Sequence, residues 1–184
     1  MLLYAKQSFR ASPRQLARSL RNRIAEQLLP DLTEARQWLI ALGQIEQAVL
    51  DAGLSNGGQA SSATAAAANV FLEVRSGSRG NTKAAVTQLM EKLRVLELAL
   101  VEQELEFRVP EGFAWYALYP DSYAQTAERW SLQFEPPEID VCVIGLRSIG
   151  TTLAAVVTQA LRRRGFRIAS CLTLRPSGTW PSRY

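Results

Sequence analysis

One stretch constrains the fold more than any other. Ile139 to Ile144 is a continuous apolar run, followed by Gly145-Leu146-Arg147-Ser148-Ile149-Gly150. Thr151 to Arg164 then carries Leu153, Val156, Val157, Ala160 and Leu161 at helical spacing, and Gly165 stops it ahead of a second apolar run, Phe166 to Leu174. Strand, glycine-bracketed loop, helix and strand make a βαβ unit, which predicts parallel strands joined by a right-handed crossover. The uninterrupted apolar run predicts a first strand buried on both faces. Cys142 and Cys171 lie inside these runs and are expected to pack in the core as small hydrophobes.

Charge concentrates here too. From Asp140 to the end the sequence holds seven arginines, no lysine and one acidic residue, within a total formal charge of +4. An arginine-rich surface suits an anionic ligand, because guanidinium meets phosphate in a fork. A strand leading through glycines into a helix N-terminus suits the same ligand, because backbone N–H groups and the helix dipole both favour negative charge. The candidate phosphate-binding residues are therefore Gly145, Leu146, Arg147, Ser148, Ile149, Gly150, Thr151 and Thr152. The glycines would permit positive φ or close approach to the ligand, Arg147 would reach phosphate, and the hydroxyls would donate hydrogen bonds. The competing reading makes these glycines and hydroxyls plain turn and cap residues. A nucleotide-hydrolysing P-loop is disfavoured, because the position its lysine would take is Thr151.

The segment Ile144-Gly145-Leu146-Arg147-Ser148-Ile149-Gly150-Thr151-Thr152-Leu153-Ala154 resembles the pyrophosphate loop of type I phosphoribosyltransferases, over roughly residues 139–175. The stretch from Pro110 to Pro120, taken with Gly145 to Val157, is also similar to bacterial phosphoribosyltransferase-like proteins. The resemblance implies a Rossmann-like sheet and binding of phosphoribosyl pyrophosphate (PRPP), with Mg²⁺ bridging its oxygens. It implies a glycosyltransferase of nucleotide metabolism. The family's second element, a strand ending in paired acidic residues before a Thr-Gly-x-Thr-like turn, has no counterpart, since no Asp or Glu follows Asp140. A chain that is truncated or carries a degenerate site is therefore expected, incomplete for catalysis, and the acceptor is unreadable.

The first half reads as helices. Ser12-Pro13 is a helix start, with Leu16, Leu20, Ile24 and Leu28 on one face and Pro30 as the end. Asp31 caps a second helix bearing Leu32, Leu39, Leu42, Ile45 and Val49, which Asn56-Gly57-Gly58 stops. Ala60 to Ala68 is a short helix or a connector. After a loop from Ser76 to Gly80, Asn81 opens a third long helix with Ala85, Leu89, Leu93, Leu96 and Leu100 inward. Leu105 to Val109 alternates as a strand does, Phe113 to Tyr119 is a strand candidate, and Pro120 starts a further helix. The fold class expected is α/β: a helical region over 1–104, then a partial Rossmann-like α/β domain of phosphoribosyltransferase type over 105–184.

The remaining features read blandly. The sequence has no histidine, which excludes imidazole catalysis and His-ligated metal. No residue set suggests a metal site, and the catalytic residues are unknown. Arg14, Arg18 and Arg21 form a basic stripe expected to face solvent, as are Arg162, Arg163 and Arg164 at a helix end and the acidic cluster Glu102, Glu104, Glu106 and Glu111. Trp115, Tyr116, Tyr119, Tyr123 and Trp130 suit core packing better than base stacking, so nucleic acid is not the expected partner. No run reaches the ~18 apolar residues of a membrane helix, and the first residues lack a signal-peptide core, so a cytoplasmic protein is expected. The alternative function is a non-catalytic interaction or regulatory module, in which the helices bind a protein partner and the glycine loop is structural.

Overall fold

The computed structural model describes residues 8–27, 29–109, 112–113, 118–136 and 139–175. It is mixed α/β, 64% helical, with six helices and two small sheets among the described residues. No helix among them is long and apolar enough to cross a membrane.

Strand β1 (Ser8–Ala11) leads into helix α1 (Pro13–Ala25). Ser12 caps α1 by accepting from the Gln15 amide at 3.3 Å, and Pro13 takes the first turn, where no N–H is needed. Helix α2 (Leu32–Asp51) starts on a full capping box: the Asp31 carboxylate accepts from the Glu34 amide at 2.8 Å, and Glu34 reaches back to the Asp31 amide at 2.9 Å. The Ala60–Ala68 stretch lies inside α3 (Gly57–Ser76), a full-length helix rather than a connector. Asn56-Gly57-Gly58, expected to stop α2, instead opens α3, α2 having ended at Asp51. Gly77, at φ +74°, ends α3, and α4 (Arg79–Ala99) follows at once.

Helix α3 is the hub. It packs against α2, α4 and the later crossover helix. Its alanines explain how one helix touches three: Ala60, Ala63, Ala67 and Ala68 are buried, and small side chains let backbones approach closely. Trp38, Leu39 and Leu42 of α2, Phe71 of α3, and Leu89, Leu93 and Leu96 of α4 fill the core around it.

Strand β2 (Leu105–Arg108) pairs antiparallel with β1, in register Ser8 to Arg108 through Ala11 to Leu105, and Phe9 stacks on Phe107 at 5.3 Å. The strand candidate over Phe113 to Tyr119 is not seen where it is described: Gly112 and Phe113 are helical, while Ala114 to Ala117, with Trp115 and Tyr116, lie outside the described residues. Helix α5 (Pro120–Ser131) precedes the βαβ unit: β3 (Asp140–Leu146), α6 (Gly150–Arg163) and β4 (Arg167–Leu174). Strands β3 and β4 pair in parallel from Asp140 with Arg167 to Leu146 with Leu174, with an irregularity at Val141/Cys142. Gly165, at φ +88°, makes the turn after α6.

Three expectations are corrected by burial and pairing. Strand β3 is not buried on both faces: Val143 and Gly145 are covered, whereas Cys142, Ile144 and Leu146 are exposed on the other side of the pleat. Cys142 and Cys171 are accordingly exposed rather than in the core. The Arg14/Arg18/Arg21 stripe does not simply face solvent, since it meets α4 and the turn after it. Arg18 Nε donates to Glu97 at 2.8 Å, Arg21 Nη1 lies 3.2 Å from the same carboxylate, and Arg14 Nη1 donates to Glu102 at 3.4 Å. The hydrogen bond that Arg18 donates to Glu97, and the charge of that carboxylate, hold the Arg18 guanidinium above its ordinary value. The basic stripe and part of the acidic cluster, read as separate solvated features, are thus one seam. At the far end of α6, Arg163 pairs with Glu73, and Arg164 Nε donates to Ser131 at 3.1 Å.

Candidate phosphate site at the carboxyl ends of the parallel strands

The glycine loop joins the end of β3 to the start of α6. Neither bracketing glycine has positive φ; among the described glycines only Gly53, Gly77 and Gly165 do. They are needed for each other. A Cβ on Gly145 would collide with the Gly150 carbonyl oxygen and lie 2.7 Å from its carbon and 2.9 Å from Ala154 Cβ. One on Gly150 would lie 2.9 Å from the Gly145 carbonyl carbon. The pair lets the first turn of α6 sit directly on the strand, so close approach is real here, but to backbone rather than to a ligand.

The eight candidate residues divide by direction. Leu146 and Ser148 are exposed, and Ile149 is half-buried, its side chain in the space a Cβ on Gly112 would need. Thr152 is 2% exposed and packs on Gly43 of α2, where a Cβ would collide with its hydroxyl. Thr151 is equally buried and lines a cleft behind the loop. The threonine hydroxyls therefore face α2 and the interior. What the loop presents outward is backbone: Ile149 stands at the N-cap of α6, and among the described residues no side chain caps the helix. Its first N–H groups have no intrahelical partner.

Arg147 does not project freely. Its Nη1 donates to Asp51 Oδ1 at 2.9 Å, and Arg175, the residue after β4, donates from Nε to the same oxygen at 2.9 Å and from Nη2 to Oδ2. The Arg147 amide also donates to Leu174 O at 2.7 Å, which extends the parallel ladder past the strand. Asp51 is the last residue of α2, where the helix dipole disfavours an anion, and two guanidiniums offset that. The carboxyl ends of both parallel strands thus carry one arginine each, gathered by one carboxylate beside an uncapped helix N-terminus.

The cleft behind the loop, about 550 Å³, lies between α2, α3, α6 and β4. Glu46, 4% exposed, faces it and accepts from Ser61 Oγ at 2.6 Å. Burial pushes the Glu46 carboxyl above its ordinary value, against hydrogen bonds from Ser61 and Thr64 and the more distant charge of Arg147. Sequence reasoning passed over Glu46, Asp51 and Arg175 as site residues. Glu46 carried a readable signal: it follows Leu42 by four residues, on the face that the apolar residues of α2 mark as inward. Asp51 carried none, because its partners lie about a hundred residues away.

Among the described residues, no group of three or more His, Cys, Asp or Glu side chains is placed to hold a metal ion. No family model matches this sequence, and searches of curated proteins and solved structures give no match either.

Proposed function

We propose that this chain binds a phosphorylated small molecule, PRPP or a chemical relative, at the carboxyl ends of β3 and β4, within a phosphoribosyltransferase-type Rossmann-like unit in the cytoplasm. The observation that carries the reading is the convergence of Arg147 and Arg175 beside the uncapped start of α6. In open parallel sheets ligands bind outside the carboxyl ends of the strands, and that is where these groups meet. The ligand's phosphate oxygens would accept from the free backbone N–H groups of the loop and first helical turn. Arg147 and Arg175 would turn from the Asp51 carboxylate to the phosphate. Any Mg²⁺ would arrive on the ligand's own oxygens. The activity proposed is binding.

The Asp51 clamp gives the test an opposite-sign pair. Titration of pyrophosphate and of Mg²⁺–PRPP by calorimetry at low salt should show saturable binding that weakens as salt rises. Arg147→Ala should weaken it, and Asp51→Asn should strengthen it by removing the competing anion. Arginines that serve only to neutralise Asp51 would give no binding in the wild type and no gain in Asp51→Asn.

A second reading, a helical module that binds a protein partner, is favoured by Val95 and Leu98, 52% and 72% exposed on α4. Sedimentation of wild type against Leu98→Glu, alone and with candidate partners, tests it: complexes lost in the variant support it, and an unchanged monomer in both removes it.

A further inference from the structure

We propose that the bare face of the β3–β4 sheet is an interface on which a second copy of this chain packs face to face, related by a two-fold axis parallel to the strands. The inference goes beyond the phosphate-binding reading. It uses neither the glycine loop nor Asp51.

A parallel sheet is ordinarily covered on both faces. Here α6 packs on one face of β3 and β4, and four large apolar side chains stand on the other. Ile144 and Leu146 of β3 are 57% and 62% exposed, and Leu172 and Leu174 of β4 are each 49% exposed. The register sets them in rows, Ile144 beside Leu172 and Leu146 beside Leu174. Cys142 and Ser170 form the row before, with Cys142 Sγ 2.9 Å from Ser170 Oγ. Asp140, which continues the alternation of Cys142, Ile144 and Leu146, pairs with Arg167 as the first row, an exposed ion pair. The face therefore runs from a charged row, through a small polar row, to two apolar rows.

That order selects the occupant. A two-fold axis along the strands, midway between β3 and β4, lays each strand over the other strand of the second copy. Each row then meets its own kind. Ile144 and Leu146 meet the partner's Leu172 and the partner's Leu174, and Asp140 meets the partner's Arg167. A row with one acid beside one base is thus charge-complementary to its own copy, as an isologous interface requires. Reversing the strand direction would carry the charged row past the apolar rows instead. Aligned sheets pack in this way at about 30°. The extent sets the strength. Two strands of this length make a strip about 20 Å long and 10 Å wide. Such a strip buries less than about 1,200 Å² in total, the low end for specific interfaces, so dimerisation is expected at roughly tens of micromolar.

Sedimentation across a concentration series should show the mass rising from one chain towards two. Ile144→Lys, at an exposed position, should weaken the dimer roughly tenfold or more, whereas Leu98→Glu on α4 should leave it unchanged. Asp140→Arg and Arg167→Asp should each self-associate several-fold more weakly than wild type, and their mixture should associate better than either alone. Cys142 provides a second readout. The two copies of this residue would lie about 11 Å apart, from a sheet spacing of about 10 Å and a strand spacing of about 4.8 Å. A bismaleimide of that span should trap a covalent dimer of the wild-type chain. Cys171→Ser should keep that product, because Cys171 pairs with Val143 on the other face, and Cys142→Ser should lose it. A single chain at several hundred micromolar, a dimer unaffected by Ile144→Lys, or a charge-variant mixture no stronger than its components would overturn the proposal. Pyrophosphate titration of Ile144→Lys keeps this interface and the phosphate site apart.

Discussion

Replacing Gly145 by alanine isolates the claim that the loop glycines form a packing seam. The added Cβ would collide with the Gly150 carbonyl oxygen and lie 2.7 Å from the carbonyl carbon and 2.9 Å from Ala154 Cβ. Comfortable contacts begin near 3.5 Å, so α6 must lift from β3 by about 1 Å to clear the Gly150 oxygen, the nearest atom. The obstacle is backbone, which no rotamer change relieves. Overpacking of this kind costs about 1–3 kcal/mol. Against it stands the lower entropy of the unfolded alanine chain, worth about 0.4–1 kcal/mol. The collision wins, with a net loss of about 1–2 kcal/mol. For a chain of this length that lowers Tm by roughly 2–8 °C, measured by circular dichroism or by urea unfolding at constant slope. Gly80 in α4 is the control. It has nothing within 4 Å of a Cβ, so Gly80→Ala should gain about 0.5–1 kcal/mol. A Gly145→Ala protein as stable as wild type would refute the seam and return these glycines to the role of mere loop flexibility.

Three further outcomes follow from other parts of the fold. Glu97→Ala should lower stability by about 1–3 kcal/mol in urea unfolding, because a carboxylate that is 7% exposed holds both Arg18 and Arg21 against α4. Gly165→Ala should cost about 1–2 kcal/mol, since φ is +88° and the Cβ penalty in the left-handed region is of that size; a thermal melt reads it. Burial raises the Glu46 carboxyl above its ordinary value, so the folded chain holds that proton more tightly than the unfolded one. Its contribution is full below about pH 4.3, the unfolded value, and is lost as pH rises through the folded one. Stability measured against pH should therefore fall more steeply in wild type than in Glu46→Gln over the window opening at that pH.

Local signals in the sequence proved reliable where a few neighbouring residues decide the structure. Ser12-Pro13 and Asp31 start their helices as read, because a cap needs only residues within one turn. The strand–loop–helix–strand order of the βαβ unit was legible for the same reason. Its burial was not. Ile144 and Leu146 are apolar yet exposed, because composition cannot tell a strand covered on both faces from one covered on a single face. Ala60 to Ala68 was ambiguous because alanine shows no apolar stripe; its helix is fixed by three neighbours rather than by its own pattern. The site divided similarly. The glycine loop announced itself, whereas Asp51, which gathers Arg147 and Arg175 from 96 and 124 residues away, had no local signature.

The central claim is that the carboxyl ends of β3 and β4 receive phosphate through the loop backbone. Amide chemical shifts, followed during titration with pyrophosphate, test it residue by residue. The account expects the largest saturable changes at Ser148 to Thr152, with the side chains of Arg147 and Arg175 moving at the same ligand concentration. Shifts absent from the loop, or spread along the arginines of α1 and α6 without saturation, would contradict it.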